Sequence, residues 1–540
     1  MSKLLNRIAA ILICICIVIP LGGCKKGNEI IASLTGDQSK KQPEIIDEAA
    51  FTIPYLRTDS LNPYKATSAV NKNVAKLLYD SLFDVNQKFE IINRIADSQS
   101  VSDGVLTVTI KSGLKFSDGS PLTSKDIIYS FELAKDCIDY TSLLENITGA
   151  EASGDNSVKF TLTVSNPNEA VNLVFPIIKS GSDADDTDIT DNNENDDDED
   201  DASDSKAEKI SSKLPIGSGR YTLATGNNEK HLNVNTARLG GYHPIYGKIA
   251  LSDVTDSSSL QSLFDLKRID FYCNDFSDGQ YARFSKISSK INMTNFVFLG
   301  INSNSTALSN SKIRRAMALA LDRTEIASVA FADCAVATSL PIHPDYSKLS
   351  GYSLPTLSCK TGSAVSLLED EGYSQTNESG ARYSDDTVLS LTLLVNTENA
   401  FRLSAARSIQ QSLEKINIKV TIREVGYDDY ASSIESGSFD LYIGETKLSN
   451  SFSLDRFFSD NGGLKSGISA KSRSAAVYKN YACGKVSLQK FIDAFSDDLP
   501  FIPLAFRQGI VVGSDKIATE ISTYPDDCFA NINEWTVNNG

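Results

Sequence analysis

LTVTIKSGLKFSDGSPLTSKDIIYSFELAK, residues 106–135, predicts a strand, a turn and a capped helix in succession. Apolar and polar side chains alternate over the first six residues, as they do in a strand with one buried face. Asp118 and Gly119 favour a tight bend after that strand. Thr123 is placed to cap the following helix, and Asp126, three residues later, completes the spacing of a capping box. We therefore expect a strand, turn and helix unit at the centre of an α/β domain.

The turn and the start of the helix also carry a family resemblance. The motif KFSDGxPLTxxDI at residues 115–127 resembles the signature of extracellular solute-binding proteins of ABC importers. The branch concerned is family 5, whose members bind oligopeptides, dipeptides and nickel complexes. A second motif, IRRA at residues 313–316 with ALDR at residues 320–323, resembles a helix of the same family.

The resemblance implies an α/β, two-lobed periplasmic-binding-protein-like fold (type II, three-domain) with mixed sheets and a ligand cleft between the lobes. Strand and helix patterns also alternate over residues 389–443, which predicts a βαβαβ unit with a partly parallel sheet. The length of 540 residues predicts several domains. We expect a signal peptide at 1–23, a flexible tether at 24–48, domain I at 49–66, 209–300 and 500–540, domain II at 67–180, an acidic disordered insert at 181–208, and domain III at 301–499.

The formal net charge of −17 is concentrated in one segment of the chain. Residues 183–208 contain 14 Asp and Glu against one Lys, so this segment repels itself and is predicted to be disordered. An acidic protein also lacks the basic surface that phosphate backbones require, which excludes nucleic acid as a partner.

The N-terminus has the features of an export signal. Lys3 and Arg7 precede an apolar run over residues 8–21, which is too short to span a membrane comfortably. The run ends in Leu-Gly-Gly-Cys, which resembles the lipobox of bacterial lipoproteins, and this implies lipidation of Cys24. The alternative is a plain signal peptide followed by a chance cysteine. The expected location is the outer face of the cell membrane, extracellular or periplasmic.

No enzyme motif is present in the sequence: GxSxG, HExxH, a Walker loop and GxGxxG are all absent. His231, His243 and His343 are far apart and are each predicted to be surface or turn residues. The six cysteines after Cys24 contain no CxxC pair, so disulfide pairing and scattered buried thiols both remain open. We expect no catalysis, no cofactor and no metal site.

Most candidate ligand-binding residues come from segments that resemble segments of the family. Thr58, Asp59, Ser60 and Asn62 belong to a loop resembling the family's "LNP" loop, although these residue types are also simple turn formers. The segment PIGSGRYTL at 215–223 resembles a turn of the family. Other members have Pro at the position that Arg220 occupies in this chain. That Arg is either solvated or a positive group near the cleft, and the flanking Gly217 and Gly219 are predicted to adopt positive φ. Two further candidates, Asn302 and Arg507, lie in segments that resemble those crossing between the domains of the family.

The family pattern breaks at residues 444–449, GETKLS. Peptide binders of the family commonly have Gly-Trp-x-x-Asp-Tyr here, where the Trp roofs a pocket and the Asp pairs the amino terminus of the peptide. Glu445 stands at the Trp position and Leu448 at the Asp position, so that anchor is missing. Glu445 is a candidate partner for a cationic ligand and Lys447 for an anionic one, although both are equally compatible with solvation. Gly444 and Thr446 complete the candidate set.

These observations predict a monomeric, lipid-anchored extracellular substrate-binding protein of an ABC importer. It would capture a small ligand between two lobes and deliver it to the permease subunits. A peptide is the favoured ligand by family frequency, and nickel is disfavoured by the scarcity of His. Two alternatives remain open: a surface receptor or sensor for a peptide signal, and a binding fold that has lost its ligand.

Overall fold

The structure is a computed structural model that describes residues 45–183, 214–226, 229–238, 243–276, 279 and 286–538. The predicted signal peptide, Cys24, nearly all of the tether and residues 184–208 of the acidic insert lie outside the described residues. Within the described ranges, none of the helices has the length and apolar character needed to cross a membrane.

Twenty strands form the sheets of the described chain. They are β1 (Ile46–Leu56), β2 (Phe83–Val85), β3 (Ile91–Asn93), β4 (Ala96–Ser102), β5 (Val105–Ile110), β6 (Ile147–Ala152), β7 (Ser157–Leu162), β8 (Tyr221–Gly226), β9 (Glu229–Val234), β10 (Tyr246–Val254), β11 (Phe271–Asn274), β12 (Ser289–Ile301), β13 (Ala335–Ala337), β14 (Gln375–Thr376), β15 (Arg382–Ser384), β16 (Thr387–Val388), β17 (Ser390–Asn396), β18 (Lys419–Val425), β19 (Leu441–Lys447) and β20 (Phe501–Gly513).

Twelve α-helices connect and cover these strands in the described chain. They are α1 (Ala69–Leu78), α2 (Ser124–Asp136), α3 (Ile138–Leu144), α4 (Leu260–Asp265), α5 (Ser311–Ala320), α6 (Arg323–Ala330), α7 (Thr361–Asp370), α8 (Ala400–Glu414), α9 (Tyr427–Glu435), α10 (Asp455–Phe458), α11 (Arg473–Ala482) and α12 (Leu488–Asp498).

Three large sheets carry the architecture. One has the order β1-β10-β9-β8, with β1 and β10 parallel, and a second has the antiparallel order β4-β5-β7-β6. The third runs β11-β20-β12-β19-β17-β18, with β13 added beside β20. In this third sheet β17 is parallel to both β18 and β19, which confirms the predicted βαβαβ unit. The mixed sheets agree with the predicted two-lobed α/β fold.

The strand, turn and helix predicted at residues 106–135 are confirmed. β5 pairs with β4 and β7, and Gly119 adopts a φ of +82° in the turn. The carboxylate of Asp126 accepts hydrogen bonds from the backbone N–H and the hydroxyl of Thr123, at 2.8 and 3.1 Å. The capping box therefore begins α2 where the sequence predicts it.

The helical spacing of Val70, Val74, Leu78 and Leu82 predicts a helix over residues 70–82, but the helix ends earlier, at Leu78. The backbone N–H of Gly219 donates to the carbonyl oxygen of Leu78 at 3.0 Å, and Tyr79 is extended. The prediction of positive φ at Gly217 and Gly219 is wrong, because neither residue lies in the left-handed region. These glycines are required for close packing instead: a Cβ on Gly217 would lie 2.2 Å from the Leu78 carbonyl oxygen, and one on Gly219 would lie 2.3 Å from the Leu78 carbonyl carbon.

An aromatic cluster fixes the centre of the large sheet. Phe296 and Phe298 of β12 and Phe501 of β20 are fully buried, and the rings of Phe457 and Phe501 stack with centroids 4.5 Å apart. Aromatic pairs of this kind add to the stability gained from area burial alone. The cluster packs α10 against β12 and β20, and β19 pairs with β12 and ends at Lys447.

Candidate functional site

A cavity of about 490 Å³ is lined by segments that are distant in the sequence. Its lining comes from the loop before α1 and α1 itself, from α3, from β11 and β12, from the end of β19, and from residues 525–528. The volume falls in the range of roughly 300–1,000 Å³ that is usual for small-molecule sites. A cavity of this size, lined by segments distant in the sequence, can hold a small ligand.

Most charged side chains of the lining are paired within the protein. Lys72 of α1 contacts Asp139 at 2.7 Å, and Lys76, one helical turn later, contacts Asp526 at 3.0 Å. The carboxylate of Asp527 forms an ion pair with Arg220, which lies outside the lining. These pairs leave few charges available to a ligand.

Lys447 is the one sequence-predicted candidate that lines this cavity. It is the last residue of β19, where it pairs with Asn295 of β12, and it is an exposed residue. The surrounding protein displaces much of its bulk hydration, and this desolvation lowers the pKa of its ammonium group. No ion pair to Lys447 is present among the described residues.

The loop preceding α1 uses its polar side chains to hold its own shape. Ser60 accepts from the N–H of Asn62, and the buried Asn62 accepts from the N–H of Tyr64. Thr58 is exposed. Burial alone would raise the pKa of Asp59, but hydrogen bonds from the two residues preceding α1 hold it below its usual value.

These four candidates therefore lie beside the cavity and are not part of its lining. The residues that this loop contributes to the lining are Pro63 and Thr67.

Arg220 is buried, so the interpretation of it as a solvated side chain is wrong. Its guanidinium contacts Asp527 at 2.8 Å, and the two side chains are only 6% and 5% exposed. It also donates to the carbonyl oxygens of Phe529 at 2.7 Å and Lys76 at 3.2 Å. Arg220 thus ties the turn after the acidic insert to the C-terminal segment and positions Asp527 at the cavity.

Glu445 is also engaged within the protein, so a fully solvated Glu445 is excluded. Its carboxylate lies 3.3 Å from the guanidinium of Arg402 and 3.6 Å from that of Arg507, and the side chain is 9% exposed. Arg507 is buried and packs over the ring of Phe401 at 4.4 Å. Neither Glu445 nor Arg507 is part of the cavity lining.

The remaining candidates have structural contacts. The hydroxyl of Thr446 accepts from Arg456 at 2.8 Å, and a Cβ on Gly444 would lie 2.3 Å from the ring of Phe298. The amide of Asn302 donates to the carbonyl oxygens of residues 437 and 439, at 3.3 and 3.1 Å. These contacts fix β19 and the crossing strand β12 against each other.

His343 is not a surface histidine, although it begins a turn, in which its carbonyl oxygen accepts from the N–H of Tyr346 at 3.0 Å. It is fully buried between the rings of Phe89 and Phe506, at 4.9 and 5.1 Å, and its Nδ1 accepts from the N–H of Asp345. Burial lowers the pKa of His343 to about 4. All six cysteines of the described chain are free thiols, which agrees with the interpretation of scattered thiols.

A smaller cavity of about 120 Å³ adjoins the larger one and shares Leu143 and Lys447 with it. Its lining includes Glu169, which is buried and accepts hydrogen bonds from three asparagine amides. Burial raises the pKa of Glu169 despite those three donors.

Sequence reasoning missed the charged residues of the larger cavity. Lys72 and Lys76 had a usable signal, because a spacing of four places both on one face of the predicted helix. No such signal existed for Asp139, Asp526 and Asp527, because no pattern in the sequence places them beside α1.

Comparisons with known proteins agree with this geometry. The model of the family described as bacterial extracellular solute-binding proteins, family 5 middle, matches residues 90–464. The oligopeptide-binding protein AppA of Bacillus subtilis (strain 168) is 25% identical over 400 residues, covering 70% of this chain and 69% of AppA. The glutathione-binding protein GsiB of Escherichia coli (strain K12) is 22% identical over 392 residues, covering 70% and 69%. The crystal structure of NikA from Brucella suis in complex with Fe(III)-EDTA has a TM-score of 0.64 at 15% identity, covering 90% of this chain and all of NikA.

Proposed function

This chain belongs to the bacterial extracellular solute-binding proteins of family 5, which are substrate-binding proteins of ABC importers and not enzymes, and we propose that its ligand is a small peptide. The protein captures the peptide between its lobes and delivers it to the permease subunits. It acts as a monomer at the outer face of the cell membrane, anchored through a lipid on Cys24.

The cavity of about 490 Å³ is the observation that carries this proposal. Its walls combine α1 and α3 with β12 and β19, so a ligand inside it contacts several elements at once and favours the closed arrangement. A solute-binding protein requires this coupling, because a ligand can shift a conformational equilibrium only by its differential affinity for the two states. The presence of a formed cavity also argues against a fold that has lost its ligand.

The names of two relatives support a peptide over other solutes. AppA is an oligopeptide-binding protein and GsiB a glutathione-binding protein, and each aligns with 70% of this chain. Among the cavity-lining residues, Lys447 is our proposed ligand contact.

Thermal unfolding of the mature protein with mixed dipeptide, tripeptide and longer peptide libraries tests the ligand class. A ligand present at about 100 times its Kd adds roughly 2.7 kcal/mol to the free energy of unfolding, which is a measurable rise in Tm. Nickel salts and sugars serve as negative controls. A Tm that rises with a control solute and with none of the peptide libraries would overturn the peptide assignment.

The membrane anchor has its own test. Fractionation of cells expressing the wild type and C24A should find the wild type with the membrane and the variant released from it. Retention of both proteins in the membrane fraction would refute lipidation at Cys24. Deletion of the gene distinguishes an importer component from a sensor. Peptide uptake should be lost if the protein is an importer component and should be unchanged if it is a sensor.

A further inference from the structure

The fold brings two free thiols together in the wall of the larger cavity. Cys273 lies on β11 and Cys528 lies in the C-terminal segment, and both line the cavity. The two thiols form a hydrogen bond with each other, and both side chains pack against one hydrophobic cluster. Residues beside them pack in the same order, since the ring centroids of Phe271 and Phe529 are 4.7 Å apart. Two segments that are distant in the sequence therefore place their sulfur atoms side by side.

The surroundings of this thiol pair oppose the thiolate form. Burial raises the pKa of the Cys273 thiol well above its usual value, and the neighbouring thiol and the carboxylates of Asp527 and Asp275 raise it further. A soft metal ion would require both cysteines as thiolates, which this environment disfavours. A disulfide is neutral, so burial does not penalise it. Of the two products open to a pair of thiols, the site favours the disulfide.

The compartment of the family also favours this product. Its members are extracellular solute-binding proteins, and disulfides form and persist outside the reducing cytosol. We propose that Cys273 and Cys528 are a modification site, at which a disulfide forms after export through exchange with a low-molecular-weight disulfide. This bond fastens the C-terminal wall of the cavity to β11.

The exposure of the two thiols sets the order of the reaction. Cys273 is half-buried, whereas Cys528 is only 2% exposed, so Cys273 meets the small disulfide first. Its thiolate attacks one sulfur of the small disulfide and forms a mixed disulfide, and the first small thiolate leaves and takes up the proton lost by Cys273. The thiolate of Cys528 then attacks Sγ of Cys273, and the second small thiolate leaves with the proton lost by Cys528. Two protein thiols are thereby oxidised to a disulfide, and one small disulfide is reduced to two small thiols.

The cross-link acts on a segment that already shapes the cavity. Residues 525–528 belong to the lining, and ion pairs tie Asp526 to Lys76 and Asp527 to Arg220. A covalent bond to β11 adds a connection to the large sheet, because β11 pairs with β20. The disulfide also closes a long loop of the chain, and in the chain-entropy model long loops bring the largest stabilisation. We therefore expect the oxidised protein to unfold at a higher Tm than the reduced protein.

Peptide mapping of the purified mature protein tests the proposal. One sample is incubated with bis(2-hydroxyethyl) disulfide and another with dithiothreitol, and both are alkylated and digested without further reduction. Mass spectrometry should find the peptides of Cys273 and Cys528 linked in the oxidised sample and separate in the reduced one. Thermal unfolding of the two samples should show a Tm that is several degrees higher after oxidation.

Serine variants separate the roles of the two cysteines. C528S should retain the small thiol as a mixed disulfide on Cys273, because the second thiol needed to release it is missing. C273S should lose the Tm difference between the oxidised and reduced samples and should take up less of the small thiol. C137S and C359S are matched controls, because those thiols donate to backbone carbonyl oxygens, of Tyr64 at 4.0 Å and of Ala320 at 3.3 Å. Both controls should keep the linked peptides and the full Tm difference.

The outcomes decide the proposal without any ligand, so its failure leaves the proposed function untouched. Alkylation of both Cys273 and Cys528 in the oxidised sample would overturn the disulfide, as would linkage of either cysteine to a different one. A Tm difference in C273S as large as that of the wild type would overturn the stabilising cross-link. More mixed disulfide on Cys528 of C273S than on Cys273 of C528S would overturn the order of attack.

Discussion

Replacing Arg220 with Ala should destabilise the protein by about 3–5 kcal/mol, the usual cost of removing one partner of a buried ion pair. The guanidinium makes a 2.8 Å contact with Asp527 and two hydrogen bonds to backbone carbonyl oxygens, and both side chains of the pair are at least 94% buried. The variant leaves the Asp527 carboxylate buried with the backbone N–H of Phe529 as its remaining donor at 2.9 Å. Urea denaturation of the mature protein measures the change in the free energy of unfolding.

The exposed pair between Arg57 and Asp253 provides the matched control. Its side chains are 74% and 39% exposed, so R57A should cost only about 0–1 kcal/mol. The double variant R220A/D527A should cost less than the sum of its single variants, because the attraction can be lost only once. A cost for R220A no larger than that for R57A would refute the assignment of Arg220 as a buried clamp.

Three further predictions concern packing and protonation. G219A should cost several kcal/mol in urea unfolding, because its Cβ would overlap the backbone of Leu78, and a stability equal to wild type would refute that contact. G444A should lower Tm through its clash with the Phe298 ring, and an unchanged Tm would refute that contact. The third prediction concerns His343, whose pKa of about 4 lies below its unfolded value of 6.5, so the unfolded state binds more protons between those pH values. Stability should therefore fall as the pH falls from 6.5 to 4, by up to about 3 kcal/mol relative to H343L, and parallel pH profiles of the two proteins would contradict this.

Local patterns in the sequence predicted the elements that depend on local physics. The capping box of Thr123 and Asp126 begins α2 in the structure, because its hydrogen bonds join residues three apart. The alternation of strand and helix over residues 389–443 predicted β17, α8, β18, α9 and β19, since hydrophobic periodicity is set by the geometry of each element. Family motifs extended these local predictions to a two-lobed fold.

The sequence was less informative wherever a side chain meets a partner from elsewhere in the chain. Gly217 and Gly219 were correctly identified as special positions, but for a conformational reason rather than for their contact with Leu78. Nothing in the sequence around Arg220 indicated that its ion-pair partner is Asp527, 307 residues away. The burial of His343 was equally hidden, because Phe89 and Phe506 approach it only in the folded state.

The sequence by itself thus determined the family, the elements around residues 106–135 and the place where the family's peptide anchor is missing. Only the tertiary structure decided which charges remain available to a ligand. Charge neutralisation depends on distance in space, and the contacts of Lys76 with Asp526 and of Arg220 with Asp527 join segments hundreds of residues apart. Once those pairs form, Lys447 remains without an ion pair in the described lining of the cavity, which no local pattern could reveal.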